Sequence, residues 1–200
     1  MESKCLKLAV FADELLKRNS LSSSDLDAIA VSKGPGSYTG LRIGVSLGKG
    51  LCFGAQKPLI AIDTLQEMCF NPNVQQTIVS MDRPLLCPML DARRMEVYTA
   101  FYDQNNDPVN EVSPVILDET SFAEELLNQS ILFFGNGSEK FQPLCHAENC
   151  RFLKDVWPSA SQMTLLSEKA YLEQNFEDVA YFEPFYLKDF QATTPKKGIV

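Results

Sequence analysis

The glycine-rich segment at residues 32–42, SKGPGSYTGLR, constrains the fold more than any other part of the sequence. It follows an apolar run at 26–31, which predicts a β-strand, and it opens a glycine-spaced apolar run at 41–54, which predicts a helix. Free backbone N–H groups at a helix N-terminus favour a bound anion, and glycine lets the backbone adopt positive φ near a ligand. The segment therefore predicts either a phosphate or nucleotide contact or, favoured by spacing alone, a tight strand-to-helix turn without a ligand. The residues of this candidate site are Gly34, Pro35, Gly36, Ser37, Thr39, Gly40 and Arg42.

The sequence does not match two common nucleotide-binding motifs. The nearest Walker A window, residues 44–50, is one residue short and lacks the hydroxyl that would hold magnesium. A dinucleotide fingerprint needs G-x-G-x-x-G, but here the third glycine, Gly40, comes one residue late. Because Asp63 follows the next apolar run at 59–62, a dinucleotide-binding oxidoreductase stays open as an alternative.

Composition limits the classes of partner. The 200 residues, 45% of them hydrophobic, can form the core of one domain or of two small ones. The net charge of −8 disfavours nucleic-acid binding by this chain alone, because phosphate contacts need clustered Lys and Arg. No apolar run is long enough to span a bilayer, and the first residues do not form a signal-peptide pattern. The sequence therefore predicts a cytoplasmic protein that makes no membrane contact.

The six cysteines and the single histidine do not form a recognisable chemical motif. The thiols are expected to be free, as is usual in the cytosol. Cys145, His146 and Cys150 lack the second pair of ligands that is typical of a zinc site. A Ser-His-Asp arrangement would depend on His146 alone. We therefore predict no metal site, no catalytic residue and no cofactor.

Hydrophobic periodicity divides the chain into two halves of different element order. Residues 1–83 are predicted to form helix, strand, helix, strand and helix. Residues 84–188 are predicted to form three strands, then helix, strand, helix, strand and helix. The second order is the ribonuclease-H-like order of actin-type domains, so the predicted fold is α/β with two lobes. The predicted strands of the second half are 85–90, 95–102, 109–117, 131–134 and 150–155, and its helices are 121–127, 139–146 and 162–174.

The first half is shorter than the second by three strands. If both halves share one plan, the first lobe lacks its three leading strands, and an N-terminal segment is expected to be absent from this sequence. The alternative is that the halves are unrelated and that the first is a small open α/β layer. Residues 189–200 are predicted to be a mobile tail.

A second polar motif, DARRMEVY, ends the first strand of the second half. If the second half has this fold, Asp91 is expected to lie where actin-like proteins place a carboxylate near nucleotide and magnesium. Arg93 and Arg94 could bind phosphate or the carboxylates of a partner, or Arg94 could form an exposed ion pair with Glu96 that adds little stability. We favour a structural or partner-contact role for this motif, which also includes Tyr98.

Taken together, residues 32–44, 49–50, 64–65 and 91–98 resemble the TsaB family. Members of this family are dimerisation subunits of the bacterial machinery that makes threonylcarbamoyladenosine in tRNA. The resemblance implies an actin-like, two-lobed fold and a non-catalytic role beside the catalytic subunit TsaD, with the ATPase TsaE and the tRNA reached only through the complex. Met95 replaces a glycine that many members have, and Asn136 lies in a turn that often reads Gly-Asp-Gly. The alternative function is an ATP-binding enzyme of the sugar-kinase type with the same fold.

The resemblance also implies a helical partner surface on the first lobe, which a homodimer could use when TsaD is absent. The predicted helices at 6–18 and 41–54 both carry an apolar face that fits this role. The alternative is that the chain's own sheet covers both faces. The predicted interface residues are Leu8, Phe11, Leu15, Leu41, Gly44, Val45 and Gly48.

Overall fold

The structure contains two β-sheets flanked by helices. The computed structural model describes residues 4–187, with side chains described from residue 7 onward. The first half of the chain holds a two-stranded sheet, and the second half holds a five-stranded sheet. Within residues 4–187, no helix is long and apolar enough to cross a membrane. The tail predicted at 189–200 lies outside the described residues.

The first half alternates helices with two parallel strands. Its elements are α1 (Lys4–Arg18), a 3-10 turn (Ser23–Asp25), β1 (Ile29–Gly34), α2 (Tyr38–Ala55), β2 (Leu59–Asp63), α3 (Thr64–Cys69) and α4 (Pro72–Ile78). β1 pairs with β2 in parallel, and α2 connects the two strands. α2 approaches the sheet most closely at the buried Gly48. A Cβ at this position would lie 2.5 Å from Val31 Cγ1, so there is no space for a side chain. The glycine spacing of α2 thus serves packing on the chain's own sheet.

The second half has the ribonuclease-H-like topology that the sequence predicts. Its elements are β3 (Leu85–Asp91), β4 (Glu96–Thr99), β5 (Ser113–Ile116), α5 (Ala123–Asn128), β6 (Ile131–Phe134), α6 (Ser138–Phe141), β7 (Cys150–Leu153), a 3-10 turn (Ala160–Met163) and α7 (Thr164–Leu172). The strand order is β5-β4-β3-β6-β7. β3, β4 and β5 are antiparallel neighbours, whereas β6 and β7 run parallel to β3. The central β3 and β6 are nearly continuous apolar runs, as expected for strands buried on both faces.

β1 begins three residues later than predicted and extends into the glycine-rich segment. The prediction of a strand at 26–31 is wrong at both ends, because pairing runs from Ile29 to Gly34. Lys and Gly are poor strand formers, so it is pairing with β2 that holds this end of the strand extended. α2 begins at Tyr38 rather than at residue 41, because the Ser37 hydroxyl accepts a hydrogen bond from Gly40 N at 3.4 Å and caps the helix.

Other boundaries also differ from the predictions. Two helices follow β2 where one was predicted, and the Asn-Pro-Asn sequence at 71–73 starts the second, α4. The Asn71 side chain accepts from Asn73 N at 2.9 Å, and Pro72 is the first helical residue. β4 and β5 are shorter than the predicted 95–102 and 109–117, although Tyr102 forms isolated bridges on both sides. α6 ends at residue 141 and not at 146.

The largest hydrophobic core joins the two halves of the chain. Leu65 and Met68 of α3 and Val74 of α4 lie in one buried cluster with Leu86 of β3 and Phe134 of β6. α3 and α4 therefore cover one face of the five-stranded sheet. The domain ranges 1–83 and 84–188 stay predictions, as does the N-terminal segment expected to precede this sequence.

Two of the six cysteines form a disulfide, Cys145–Cys150, so the prediction that all thiols are free is wrong for this pair. The turn between α6 and β7 brings their Cα atoms to 6.8 Å, a distance that a disulfide can span. Cys52, Cys69 and Cys87 are free and buried.

Candidate functional site

The glycine-rich loop is hydrogen-bonded to the first residue of α3. Thr64 Oγ1 accepts a hydrogen bond from Gly34 N at 3.1 Å and lies 2.6 Å from Ser32 Oγ. Gly34 has a φ of +115°, and a Cβ there would lie 2.8 Å from the carbonyl oxygen of Phe185. Glycine is therefore required at this position both by conformation and by space. The next peptide bond, Gly34–Pro35, is cis.

The rest of the loop has the features of a structural turn. Within the loop, positive φ occurs at Gly34 and not at Gly36 or Gly40, and a Cβ at Gly36 or Gly40 would meet no atom closer than 3.4 Å. The Ser37 hydroxyl is used as the cap of α2, while Thr39 is exposed to solvent. The geometry favours the turn without a ligand, and the nucleotide contact stays a prediction.

Arg42 lies in a groove of about 410 Å³ between α2 and residues 182–186. Its Nη1 donates to Tyr38 Oη at 3.0 Å, and its guanidinium carbon lies 5.4 Å from the centre of the Tyr38 ring. Tyr38 in turn packs against Tyr186, with ring centroids 4.9 Å apart. Lys49 Nζ donates to two main-chain carbonyl oxygens on the opposite wall, at 3.1 and 3.0 Å. Both cations of the groove therefore contact groups of the chain itself.

A half-buried carboxylate, Asp63, links the first half to the second. Its Oδ1 caps α3 by accepting from Leu65 N at 2.9 Å and from Gln66 N at 3.2 Å. The same atom accepts from Tyr102 Oη at 3.3 Å, across the junction with the five-stranded sheet. Burial raises the pKa of Asp63, although these hydrogen bonds and the charge of Lys33 act in the opposite direction.

Glu67, one helical turn after Asp63, is the least solvated acid described. Its side chain is 2% exposed, and within residues 4–187 its Oε2 has no hydrogen-bond partner. Burial raises the pKa of Glu67 to about 8; the Ser32 hydroxyl opposes this shift and the charge of Asp63 adds to it. Glu67 is therefore mostly protonated at neutral pH, which removes the cost of an isolated buried charge.

Asp91, the carboxylate that the second motif suggested for nucleotide and magnesium, is held by protein groups instead. Its Oδ1 accepts from Lys140 Nζ and from Arg93 N, both at 2.6 Å. Lys140 Nζ also donates to the Glu96 carbonyl oxygen at 3.1 Å, and Asp91 N donates to Asn136 Oδ1 at 3.0 Å. Burial alone would raise the pKa of Asp91, but the Lys140 and Arg93 contacts lower it below its usual value. Asp91 thus closes the β3–β4 turn.

The remaining residues of the second motif, DARRMEVY, differ in how far they are exposed to solvent. Arg93 and Arg94 are exposed on the β3–β4 turn, with φ of +72° and +48°. Tyr98 is half-buried, packs against the largest core, and lines a cavity of about 60 Å³ together with Gly36 of the glycine-rich loop. The structure therefore brings the two motifs together at Tyr98.

Part of the predicted partner surface is exposed to solvent and part is buried, and its role as an interface stays a prediction. Leu8, Phe11 and Leu15 of α1 are 39%, 62% and 63% exposed and follow one another at helical spacing. Leu41 of α2 is half-buried, and a Cβ at Gly44 would meet nothing within 4 Å. The predicted outward orientation is wrong for Val45 and Gly48, which are buried against β1 and β2. α2 has two apolar faces, and the sequence does not show which of them the sheet covers.

Several residues of the site were not singled out from the sequence. Glu67, Tyr102 and Lys140 form contacts with residues distant in the chain, and Lys140 is 49 positions from Asp91. Thr64 belongs to the Thr-Leu pair that contributed to the resemblance, but its bond to the glycine-rich loop is visible only in the fold.

The fold of the chain is similar to that of known proteins. A family model described as "TsaD: tRNA N6-adenosine threonylcarbamoyltransferase" matches residues 6–196. A solved structure from Pseudomonas aeruginosa, described as an uncharacterized protein with similarity to peptidase YEAZ, has the same fold with a TM-score of 0.77 and 22% sequence identity. The alignment covers 92% of this chain and 83% of that one. The chain therefore has the actin-like fold of the TsaD family.

Sequence similarity over most of the chain identifies a narrower family than the fold does. The TsaB protein of Bacillus subtilis is 32% identical over 181 residues, which cover 87% of this chain and 75% of that protein. A tRNA N6-adenosine threonylcarbamoyltransferase of Rhizobium johnstonii is 46% identical, but only over 54 residues, or 27% of this chain and 15% of that protein. Within the TsaD-like proteins, this chain belongs to the TsaB family.

Proposed function

We propose that this chain acts in the biosynthesis of threonylcarbamoyladenosine in tRNA, as a non-catalytic subunit that pairs with a TsaD-type catalytic subunit. The names of the relatives that match it over most of its length support the pathway. The observation that supports a pairing role is the apolar stripe of α1, formed by Leu8, Phe11 and Leu15, which the chain's own sheet does not cover. An exposed apolar patch of this kind is typical of a protein–protein interface.

The partner surface that we propose combines this stripe with the accessible part of α2. We include Leu41, which is half-buried, and Gly44, where a Cβ would meet nothing within 4 Å and another helix could approach closely. A second copy of the chain would use the same surface when the catalytic subunit is absent. The TsaE-type ATPase and the tRNA would join through the complex, in the cytoplasm.

The alternative, an ATP-binding enzyme of the sugar-kinase type, has less support. Asp91, the carboxylate that such an enzyme would direct toward magnesium, is already paired with Lys140 at 2.6 Å. The relatives that align with most of this chain are named TsaB, and none of these names describes a sugar kinase.

Co-elution and tRNA modification together test the proposal. The purified chain alone should transfer no threonylcarbamoyl group, whereas adding it to a TsaD-type subunit, a TsaE-type ATPase, ATP and threonylcarbamoyl-adenylate should restore modification of unmodified tRNA. Leu15→Glu places a charge in the stripe and should abolish co-elution and restoration, because an unpaired charge is costly in an apolar interface. Leu127→Glu is the matched control, since Leu127 is an exposed leucine of α5 in the other half.

Two results would contradict the proposal. A wild-type chain that neither co-elutes with the catalytic subunit nor restores modification would remove the function. Folded Leu15→Glu protein that still co-elutes would remove the interface. Glutamate at Val45 or Gly48 cannot serve in this test, because both positions are buried and the variants would lose stability.

A further inference from the structure

The β3–β4 turn carries two adjacent arginines in an unusual backbone conformation. Arg93 and Arg94 have φ of +72° and +48°, in the left-handed region that favours Gly, Asn or Asp. Residues with branched or long side chains are uncommon there, and such backbone outliers cluster at functional sites. The positive φ of both arginines therefore marks this turn as a candidate binding site.

The turn is held rigidly by groups at its base. The Asp91 carboxylate accepts from Arg93 N and from Lys140 Nζ, both at 2.6 Å. Two main-chain bonds close the loop: Ala92 N donates to Glu96 O at 3.0 Å, and Glu96 N donates to Arg93 O at 3.1 Å. The arginines thus project from a fixed platform at the carboxyl end of β3, the edge of a sheet where α/β folds commonly bind ligands.

The charges of the two guanidinium groups are not compensated within residues 4–187. Both side chains are exposed, and neither forms an ion pair or a side-chain hydrogen bond with a described residue. The acid nearest to Arg93 along the chain, Asp91, is already paired with Lys140. In a chain of net charge −8, with 26 acidic against 18 basic residues, two adjacent unpaired arginines form a local anion-binding feature.

We propose that the turn formed by Arg93 and Arg94 contacts the phosphate backbone of the RNA when this chain is part of its complex. The inference depends on the proposed function, which supplies tRNA as the substrate. Each guanidinium can bind one phosphate through two parallel hydrogen bonds, and a nucleic-acid strand offers closely spaced phosphates to two neighbouring arginines. The acidic chain repels RNA as a whole, so the contact needs the affinity of the complete complex.

The test uses the complex of this chain with a TsaD-type subunit and an unmodified tRNA transcript as the probe. The variant is the double substitution Arg93→Asn and Arg94→Asn, which removes both charges and leaves residues that tolerate the left-handed backbone. Its melting temperature should equal or exceed that of the wild type, so weaker binding would not come from unfolding. The control is Arg83→Asn with Arg151→Asn: it removes the same charge, and Arg83 is also exposed with positive φ, at the opposite end of β3.

The readout is the dissociation constant for tRNA between roughly 50 and 200 mM salt, the range over which phosphate contacts change affinity most clearly. We expect about tenfold weaker binding at low salt and a slope of log K against log salt that is smaller by about 1.4 to 1.8, the value for two lost phosphate contacts. The control should keep the wild-type slope.

Two outcomes would overturn this inference and leave the proposed function intact. In the first, the variant complex forms and binds tRNA with the slope of the control. In the second, the variant loses co-elution with the catalytic subunit in the absence of RNA, which would mean that the arginines bind carboxylates of that subunit. Failure of the wild-type chain to form the complex would overturn the proposed function as well.

Discussion

Replacing Glu67 by glutamine tests whether this buried side chain holds a proton in the folded state. Its Oε2 has no hydrogen-bond partner in the described part of the chain, and the side chain is 2% exposed. Glutamine has nearly the same shape and no charge at any pH. The substitution therefore separates the electrostatic contribution of Glu67 from its packing.

The expected effect has a defined sign. The pKa of Glu67 is about 8 in the folded chain against 4.5 for a fully solvated glutamate. Between these values the folded protein keeps a proton that the unfolded chain releases, so the stabilising contribution is complete below pH 4.5 and is lost as the pH rises toward 8. The free energy of unfolding should fall by about 1.4 kcal/mol for each pH unit in this interval. At pH 7 the loss attributable to Glu67 would be about 3 kcal/mol relative to acidic conditions.

Urea denaturation of the wild type and of Glu67→Gln at pH 5, 6, 7 and 8 measures this contribution. The variant should gain stability over the wild type by about 1.4 kcal/mol per pH unit across the series. A constant offset between the two proteins would reflect only the fit of the amide group. Glu148→Gln, at an exposed site, should run parallel to the wild type. A difference between Glu67→Gln and the wild type that does not change with pH would refute the reasoning, because Glu67 would then titrate alike in both states.

Two further predictions concern the glycines of the first half. Gly48→Ala should destabilise the chain by about 1–3 kcal/mol, because the new Cβ would lie 2.5 Å from a β1 side chain, whereas Gly44→Ala, in open space on the same helix, should stabilise it by up to about 1 kcal/mol. Urea denaturation of the pair measures both values, and equal effects would contradict the packing of α2. Gly34→Ala should cost about 1–3 kcal/mol through its positive φ and the adjacent carbonyl oxygen, while Gly40→Ala should be close to neutral by the same assay. A neutral Gly34→Ala would show that the loop relaxes freely.

Much of the second half could be predicted because its signals are local. An apolar run such as Ile131–Phe134 marks a central strand by itself, and the order of strands and helices then identifies the ribonuclease-H-like topology. The ends of elements were predicted less well, because they depend on caps and pairing. Ser37 caps a helix within the predicted turn, and Asn71 starts a second helix after β2 where one was predicted.

The candidate site was harder to predict because its contacts join distant parts of the chain. The sequence does not show that Lys140 lies beside Asp91, nor that the close approach of the Phe185 carbonyl oxygen distinguishes Gly34 from the other glycines of the loop. The periodicity of α2 shows that Val45 and Gly48 share an apolar face. It does not show whether that face meets the sheet or a partner, since both environments select the same residues.

The shared core of α3, α4 and the five-stranded sheet has a consequence for how the chain unfolds. Leu65, Met68 and Val74 come from one side of residue 83, yet they are buried by Leu86 and Phe134 from the other side. Separating the halves would expose this cluster, and Tyr102 Oη would lose Asp63. The two halves are therefore coupled energetically and should melt in a single cooperative transition. A cut between residues 80 and 84 would not release two independently stable fragments.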